Sequence, residues 1–288
     1  MDFNSLVFPA PEANYDAEFF AGELVWIPRE HPEDTAIPCL FLQAPAGSSK
    51  VLVYFHGNAE DLCLTYELVD MLREYLNVHV VAVEYPGYGI HFGKPSAERI
   101  IADADSVFNY LVNEMEVRPR DVIVFGRSIG SGPATWLARY RSPCCLVLMS
   151  AYTSIRAVVK NIAGRLAQVL VADRFKNIDH MPYISCATFI VHGQKDTLIP
   201  FSHSQKLHEE CSGPCSLHLP KEMDHNDLDY YEDLLEPLHR FLESCGISVE
   251  PLPGKEFLPV PSHLFQPPEN QALLNSKGRL NKLLQKYS

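Results

Sequence analysis

Ser128 lies between two glycines, in Gly126-Arg127-Ser128-Ile129-Gly130, directly after the apolar run Val122 to Phe125. Glycines two positions either side of a serine suit a strand that turns sharply into a helix, where a β-carbon would strike a neighbouring element. The serine at the apex of such a turn is strained and presents its hydroxyl, the G-x-S-x-G arrangement of a nucleophile elbow. The competing reading is a glycine-rich turn whose serine only caps the next helix. Strand before and helix after favour the nucleophile, with Pro133 close enough to the first turn to be tolerated.

A serine hydroxyl attacks a carbonyl only when a base takes its proton, and that base needs an acid to fix its tautomer. Behind an elbow serine the acid and the base follow in the order Ser, Asp, His. "ATFIVHG" reads as a strand and "QKDTLIP" follows it, so Asp196 is the candidate acid, just past a strand's carboxyl end. Its competing role is a cap for a helix starting near Ser202. "PCSLHLP" reads as one more strand, and "KEMDHND" after it places His225 in a polar loop as the candidate base. Of the twelve histidines, His79 and His218 fall in expected strands and His203, His208 and His239 in expected helices. His31, His91, His180 and His263 fall in other loops.

Attack on a carbonyl builds negative charge on its oxygen, which backbone N–H groups must meet. "YFHGNAED" ends a strand, and Gly57 lets the chain double back. The backbone N–H of Asn58, or that of Ala59, would then face the N–H of Ile129. His56 reads as a structural hydrogen-bonding residue and Glu84, before the turn "YPGYG", as a brace between loops. Metal chemistry is the rival for any hydrolysis, but the chain holds no H-E-x-x-H and no C-x-x-C pair with zinc spacing, and no metal or other cofactor is expected. Cys211 and Cys215 flank a Ser-Gly-Pro and read as part of a turn.

The elements that must hold these residues are legible as nearly continuous apolar runs: Val51 to Phe55, Val78 to Tyr85, Asp121 to Phe125, Cys145 to Ser150 and Ala187 to His192. Such runs mark parallel strands covered on both faces. Helical spacing appears between and after them, over Leu62 to Leu76, Ala97 to Met115, Ile129 to Tyr140, Ser204 to Cys211 and Leu228 to Cys245. Alternation of this kind implies a doubly wound α/β sheet, whose ligands bind at the carboxyl ends of the strands. Two short runs, Glu23 to Pro28 and Ile37 to Leu42, read as an antiparallel lead-in hairpin. The segment 154–185 is the only expected insertion over the site, and it is short for a lid.

Composition narrows the partners. With 36 acidic against 24 basic residues and a net charge of -12, the chain is unsuited to a phosphate backbone, so no nucleic-acid partner is expected. Its eight cysteines lack the framework of a small secreted domain and read as reduced thiols, and no basic-then-apolar leader or transmembrane run is present, which implies a cytoplasmic protein. Beyond Glu250 the chain turns proline-rich, then "GRLNKLLQKY" sets Leu280, Leu283, Leu284 and Tyr287 on one helical stripe opposite basic residues. This tail, 250–288, is read as a strap on the surface of a domain spanning 15–246, ahead of the alternative of a peripheral membrane contact.

The motifs "HGNAEDL", "EYPGYGIHFGKPS", "GRSIGSGP", "DRFKNI", "HGQKDTLIPFSH" and "DHND" stand in an order that resembles the alpha/beta-hydrolase-domain-containing 17 type of protein depalmitoylase, over about Tyr15 to Cys245. The resemblance implies the α/β-hydrolase fold, with a mostly parallel sheet of about eight strands. It implies hydrolysis of a fatty-acyl thioester on a protein cysteine, with Ser128 as nucleophile, His225 as base and Asp196 as orienting acid. Members of that group carry an acylated cysteine cluster near the start, whereas the first cysteine here is Cys39, within an expected strand. The substrate expected is therefore an acylated protein or a small ester. General carboxylester or monoacylglycerol hydrolysis is the alternative, and a non-catalytic binding protein on a hydrolase scaffold is the alternative of another class.

Overall fold

The apolar runs form strands because both of their faces are covered. In the computed structural model, which describes residues 7–29, 35–161, 172–254 and 257–268, eight strands make one sheet: β1 (Leu24–Ile27), β2 (Ile37–Leu42), β3 (Val51–Phe55), β4 (His79–Val83), β5 (Val122–Arg127), β6 (Cys145–Met149), β7 (Ala187–Val191) and β8 (Cys215–His218). Their spatial order is β1-β2-β4-β3-β5-β6-β7-β8. Strand β2 runs antiparallel to both neighbours, and every pairing from β4 through β8 is parallel. This is the α/β-hydrolase fold with an antiparallel lead-in hairpin.

Alternation along each strand divides the core between two faces. On β3, Val51, Val53 and Phe55 enter one hydrophobic cluster while Leu52 and Tyr54 enter the other. Helices cover both: α1 (Leu62–Leu76), α2 (Ala97–Asn113), α3 (Ser131–Arg141), the single turn α4 (Asn177–His180), α5 (Ser202–Glu210) and α6 (Glu236–Ser244). The first is capped at both ends. Asp61 accepts the Leu64 N–H, and Asn77 closes the helix in the left-handed conformation at φ 48°.

Several element limits differ from those the sequence pattern suggests, each for a local reason. The helix expected from Ile129 opens as a 3-10 turn over Ser128–Gly130 and becomes α-helical only at Ser131. The helix expected to reach Met115 stops at Asn113, ahead of Glu116 at φ 54°. The helix expected from Leu228 begins as a π-turn, Tyr230–Leu235, because Asp229 caps that turn by accepting the Tyr231 and Glu232 N–H groups. His180, expected in a loop, ends α4, while His263 sits in the 3-10 turn Ser262–Phe265.

The proline-rich segment after the domain is partly described. Gln43 donates to the Leu258 carbonyl and accepts its N–H at 2.8 and 3.1 Å, and Leu264 is buried in the core cluster. The turn Ser262–Phe265 packs against β1, the outer strand of the sheet, and so blunts an edge that would otherwise invite pairing. The basic helical stripe at Leu280 to Tyr287, His31, and residues 162–171 of the expected insertion lie outside the described residues. Among the described residues no helix is long and apolar enough to cross a membrane. All eight cysteines are free thiols.

Candidate active site

The turn at Ser128 is as tight as its glycines require. A β-carbon on Gly126 would sit 2.3 Å from the Gly130 carbonyl oxygen and 2.7 Å from Ala134 Cβ, and one on Gly130 would sit 2.2 Å from the Phe55 carbonyl oxygen. Ser128 itself is at φ 51°, a left-handed conformation that costs a non-glycine residue about 1–2 kcal/mol. Its hydroxyl caps nothing: neither the 3-10 turn nor α3 has a side-chain cap. The helix-cap reading of this serine is therefore set aside by the geometry.

Asp196 and His225 arrive from adjacent strand ends. The loops after β7 and β8 are laced together through the backbone, with His192 N–H on the His218 carbonyl at 3.0 Å, Gln194 N–H on Pro220 at 2.9 Å and Lys195 N–H on Met223 at 3.1 Å. Gly193 permits that closeness, since a β-carbon there would lie 2.1 Å from the Met223 carbonyl oxygen. The result is a 2.7 Å hydrogen bond between His225 Nδ1 and Asp196 Oδ2. Among the described residues no hydrogen bond engages His225 Nε2 or the Ser128 hydroxyl. Asp196 does not cap the helix near Ser202; its Oδ1 accepts the Leu198 and Ile199 N–H groups at 3.0 and 2.7 Å and closes its own turn.

A second imidazole, unforeseen from the sequence, also holds the carboxylate. His192 Nε2 lies 3.1 Å from Asp196 Oδ2 and 2.8 Å from the Ile199 carbonyl, and its Nδ1 is 2.7 Å from the Ser204 hydroxyl. The signal was a polar residue closing the apolar run "ATFIVH". Burial acts to raise the Asp196 pKa, but hydrogen bonds from His192, His225 and the Ile199 amide together outweigh it and hold the carboxyl well below the usual range. It is thus a fixed anion beside the His225 ring.

Of the two amides proposed from "HGNAED", Ala59 gives its N–H to the Asn58 side-chain oxygen at 3.2 Å, whereas among the described residues no hydrogen bond engages the Asn58 N–H. The Asn58 side chain is itself anchored, donating to the Val7 carbonyl at 2.9 Å and accepting from the Tyr88 hydroxyl at 2.7 Å. The turn Ser128–Gly130 packs against the end of β3, so that a β-carbon on Gly130 would sit 2.8 Å from the His56 carbonyl oxygen as well, at the start of the loop after β3.

Beneath this loop Glu84 is fully buried and accepts four hydrogen bonds: from Tyr15 hydroxyl at 2.7 Å, His56 Nε2 at 3.0 Å, Leu62 N–H at 3.1 Å and Tyr85 N–H at 3.2 Å. One carboxylate ties the amino-terminal segment, the loop after β3, the start of α1 and the "YPGYG" turn. His56, with Nδ1 2.8 Å from the Gly57 carbonyl and its ring stacked on Tyr85 at 3.9 Å, is spent in this network. Glu84→Ala strands these donors in the interior, and the expected loss is about 3–5 kcal/mol of stability, measured by urea unfolding. Among the described residues no group of three or more His, Cys, Asp or Glu side chains is arranged to hold a metal ion.

Comparison with known proteins fits this architecture. No family model matches the chain. It is 32% identical over 206 residues to alpha/beta hydrolase domain-containing protein 17B of Xenopus tropicalis, covering 72% of this chain and 70% of the relative. It is 31% identical over 206 residues to the human protein 17B, with the same shares covered. Among solved structures, the esterase Pf2001 of Pyrococcus furiosus superposes with a TM-score of 0.64 at 18% identity, over 82% of this chain and 96% of that one, a likeness of fold. An α/β hydrolase by fold and by sequence, the chain belongs to the family of alpha/beta hydrolase domain-containing 17 proteins.

Proposed function

We propose that the chain is a serine hydrolase that works through an acyl-enzyme and removes a fatty acyl group from a protein cysteine. The observation that supports this reading is the 2.7 Å hydrogen bond between His225 Nδ1 and Asp196; among the described residues Nε2 has no hydrogen-bond partner, and Ser128 stands in a left-handed turn at the carboxyl end of β5. In the proposed reaction His225 Nε2 takes the Ser128 proton as Oγ attacks the thioester carbonyl. The N–H groups of Asn58 and Ile129 meet the oxyanion, and His225 returns the proton to the departing cysteine sulfur. Water gives a proton to the same imidazole as it attacks the acyl-serine, and His225 returns that proton to Ser128 Oγ as the C–Oγ bond breaks and the fatty acid is released. Asp196 stays ionised throughout and stabilises the imidazolium.

Choice of a thioester over an oxygen ester rests on family membership and on the segments "FGKPS", "DRFKNI" and "PFSH". The test is hydrolysis of an S-palmitoyl peptide beside its O-palmitoyl serine counterpart and a monoacylglycerol. We expect kcat/KM for the thioester to exceed that for the others by about tenfold or more, ~1.4 kcal/mol in the barrier. Turnover of the oxygen esters alone would instead make the chain a general carboxylesterase or monoacylglycerol lipase.

A further inference from the structure

Arg127 occupies the variable position just before the elbow serine, the last residue of β5, and its guanidinium reaches into two other loops. Nη1 pairs with Glu60 in the loop after β3. Nη2 donates to the His225 carbonyl at 3.1 Å and to Asn226 Oδ1 at 2.9 Å, in the loop after β8. Glu60 in turn accepts the Gly57 N–H at 2.9 Å with its second oxygen. The pair lies so close over Gly57 that a β-carbon there would be 2.8 Å from Arg127 Nη1 and 3.1 Å from Glu60.

One planar group therefore joins the three loops that carry the serine, the base and the oxyanion amide. The fork is fixed at its root by a central strand and is largely screened from water, its side chain 10% exposed against 21% for Glu60. Arginine suits the task because its rigid donors serve several acceptors in one plane, whereas a lysine ammonium on a flexible stem does not hold that geometry. The base loop is laced to the loop after β7 as far as Met223, and beyond that its turn is closed by Asp224 accepting the Asn226 and Asp227 N–H groups at 2.8 and 3.1 Å; Arg127 adds a tie from the elbow side.

We infer that Arg127 is a positioning residue that sets the His225 ring against Ser128 by clamping the carbonyl of His225 and the side chain of Asn226 to the elbow, with Glu60 orienting the guanidinium. The inference rests on the proposed serine mechanism and deepens it. Arg127 touches neither substrate nor proton; it acts through where the base sits. A misplaced base slows acylation without weakening binding, since small displacements of a reacting pair cost rate steeply.

The test compares wild type, Arg127→Gln, Arg127→Lys, Asn226→Ala and the Arg127→Gln/Asn226→Ala double variant, using p-nitrophenyl acetate and counting competent sites by fluorophosphonate titration. Arg127→Gln is expected to lower kcat per titrated site about 10- to 100-fold, within the range that general-base placement controls, with KM held within about threefold. Arg127→Lys recovers only a minor part. Asn226 is exposed, so its alanine variant keeps the fold; it should lose about two- to fivefold in kcat, and the double variant should be no worse than Arg127→Gln. A kcat per site for Arg127→Gln and Asn226→Ala within twofold of wild type overturns the inference alone. A folded wild type that neither reacts with the probe nor turns over ester overturns the serine mechanism and this inference with it.

Discussion

Ser128→Ala is expected to cut turnover of an acyl ester or thioester by on the order of 10⁶-fold, the loss seen when a nucleophile that works as one unit with its base is deleted. Any residual rate would come from binding and the oxyanion amides alone. Stability should move little, within about 1 kcal/mol, because the hydroxyl caps no helix and alanine inherits the same left-handed backbone at φ 51°. Ser128→Gly separates the two effects. Glycine relieves the backbone, so this variant should be equally inactive yet more stable by about 1 kcal/mol. Steady-state assays beside urea unfolding of the three proteins check both halves.

Asp196→Asn is expected to lower kcat by about 10⁴-fold while the fold persists. The asparagine offers the imidazole an N–H or a weaker acceptor where the native residue offers an anion, so the tautomer with Nε2 free to accept a proton is no longer enforced. The same substitution has a pH signature. Because the native carboxyl titrates well below its ordinary value, the unfolded chain binds the proton first as pH falls. The stabilisation is thus complete above about pH 4 and drains away as the pH drops from there through the lower native pKa. Urea unfolding between pH 6 and pH 2 should show a shallower acid loss for Asp196→Asn than for wild type. An unchanged profile would mean that the buried carboxylate is not held as the hydrogen bonds from His192, His225 and Ile199 imply.

The strands were legible because burial on both faces leaves an unbroken apolar run, and Leu62–Leu76 was legible to the residue because its stripe is bounded by Asp61 and Asn77. Strand β5 ran two residues further than its apolar letters, through Gly126 and Arg127, since pairing with β6 up to Met149 continues past the point where the sequence turns polar. The π-turn at Tyr230–Leu235 left no trace, because one extra residue per turn does not disturb a short apolar pattern enough to register.

Within the candidate site, the tight G-x-S-x-G turn and the meeting of Asp196 with His225 could be expected from spacing, as could the need for glycine at Gly126, Gly130 and Gly57. What could not be read were pairings that arise only when loops from distant strands converge. His192 looked like the polar end of a strand, and it proves to share a carboxylate oxygen with His225. Arg127 and Glu60 look like two surface charges far apart in the chain until β3 and β5 are placed side by side. The contact of Ala59 N–H with Asn58 Oδ1, which bears on the proposed oxyanion amide, is likewise one that no spacing rule anticipates.

The central claim is that Ser128 is a nucleophile activated by His225 and Asp196. Intact-mass analysis after incubation with a fluorophosphonate, followed by peptide mapping, tests it most directly. The account predicts a single adduct on Ser128, absent from Ser128→Ala and formed far more slowly by His225→Ala. A folded wild-type chain that stays unmodified, or one that is modified equally when Ser128 is alanine, would contradict it.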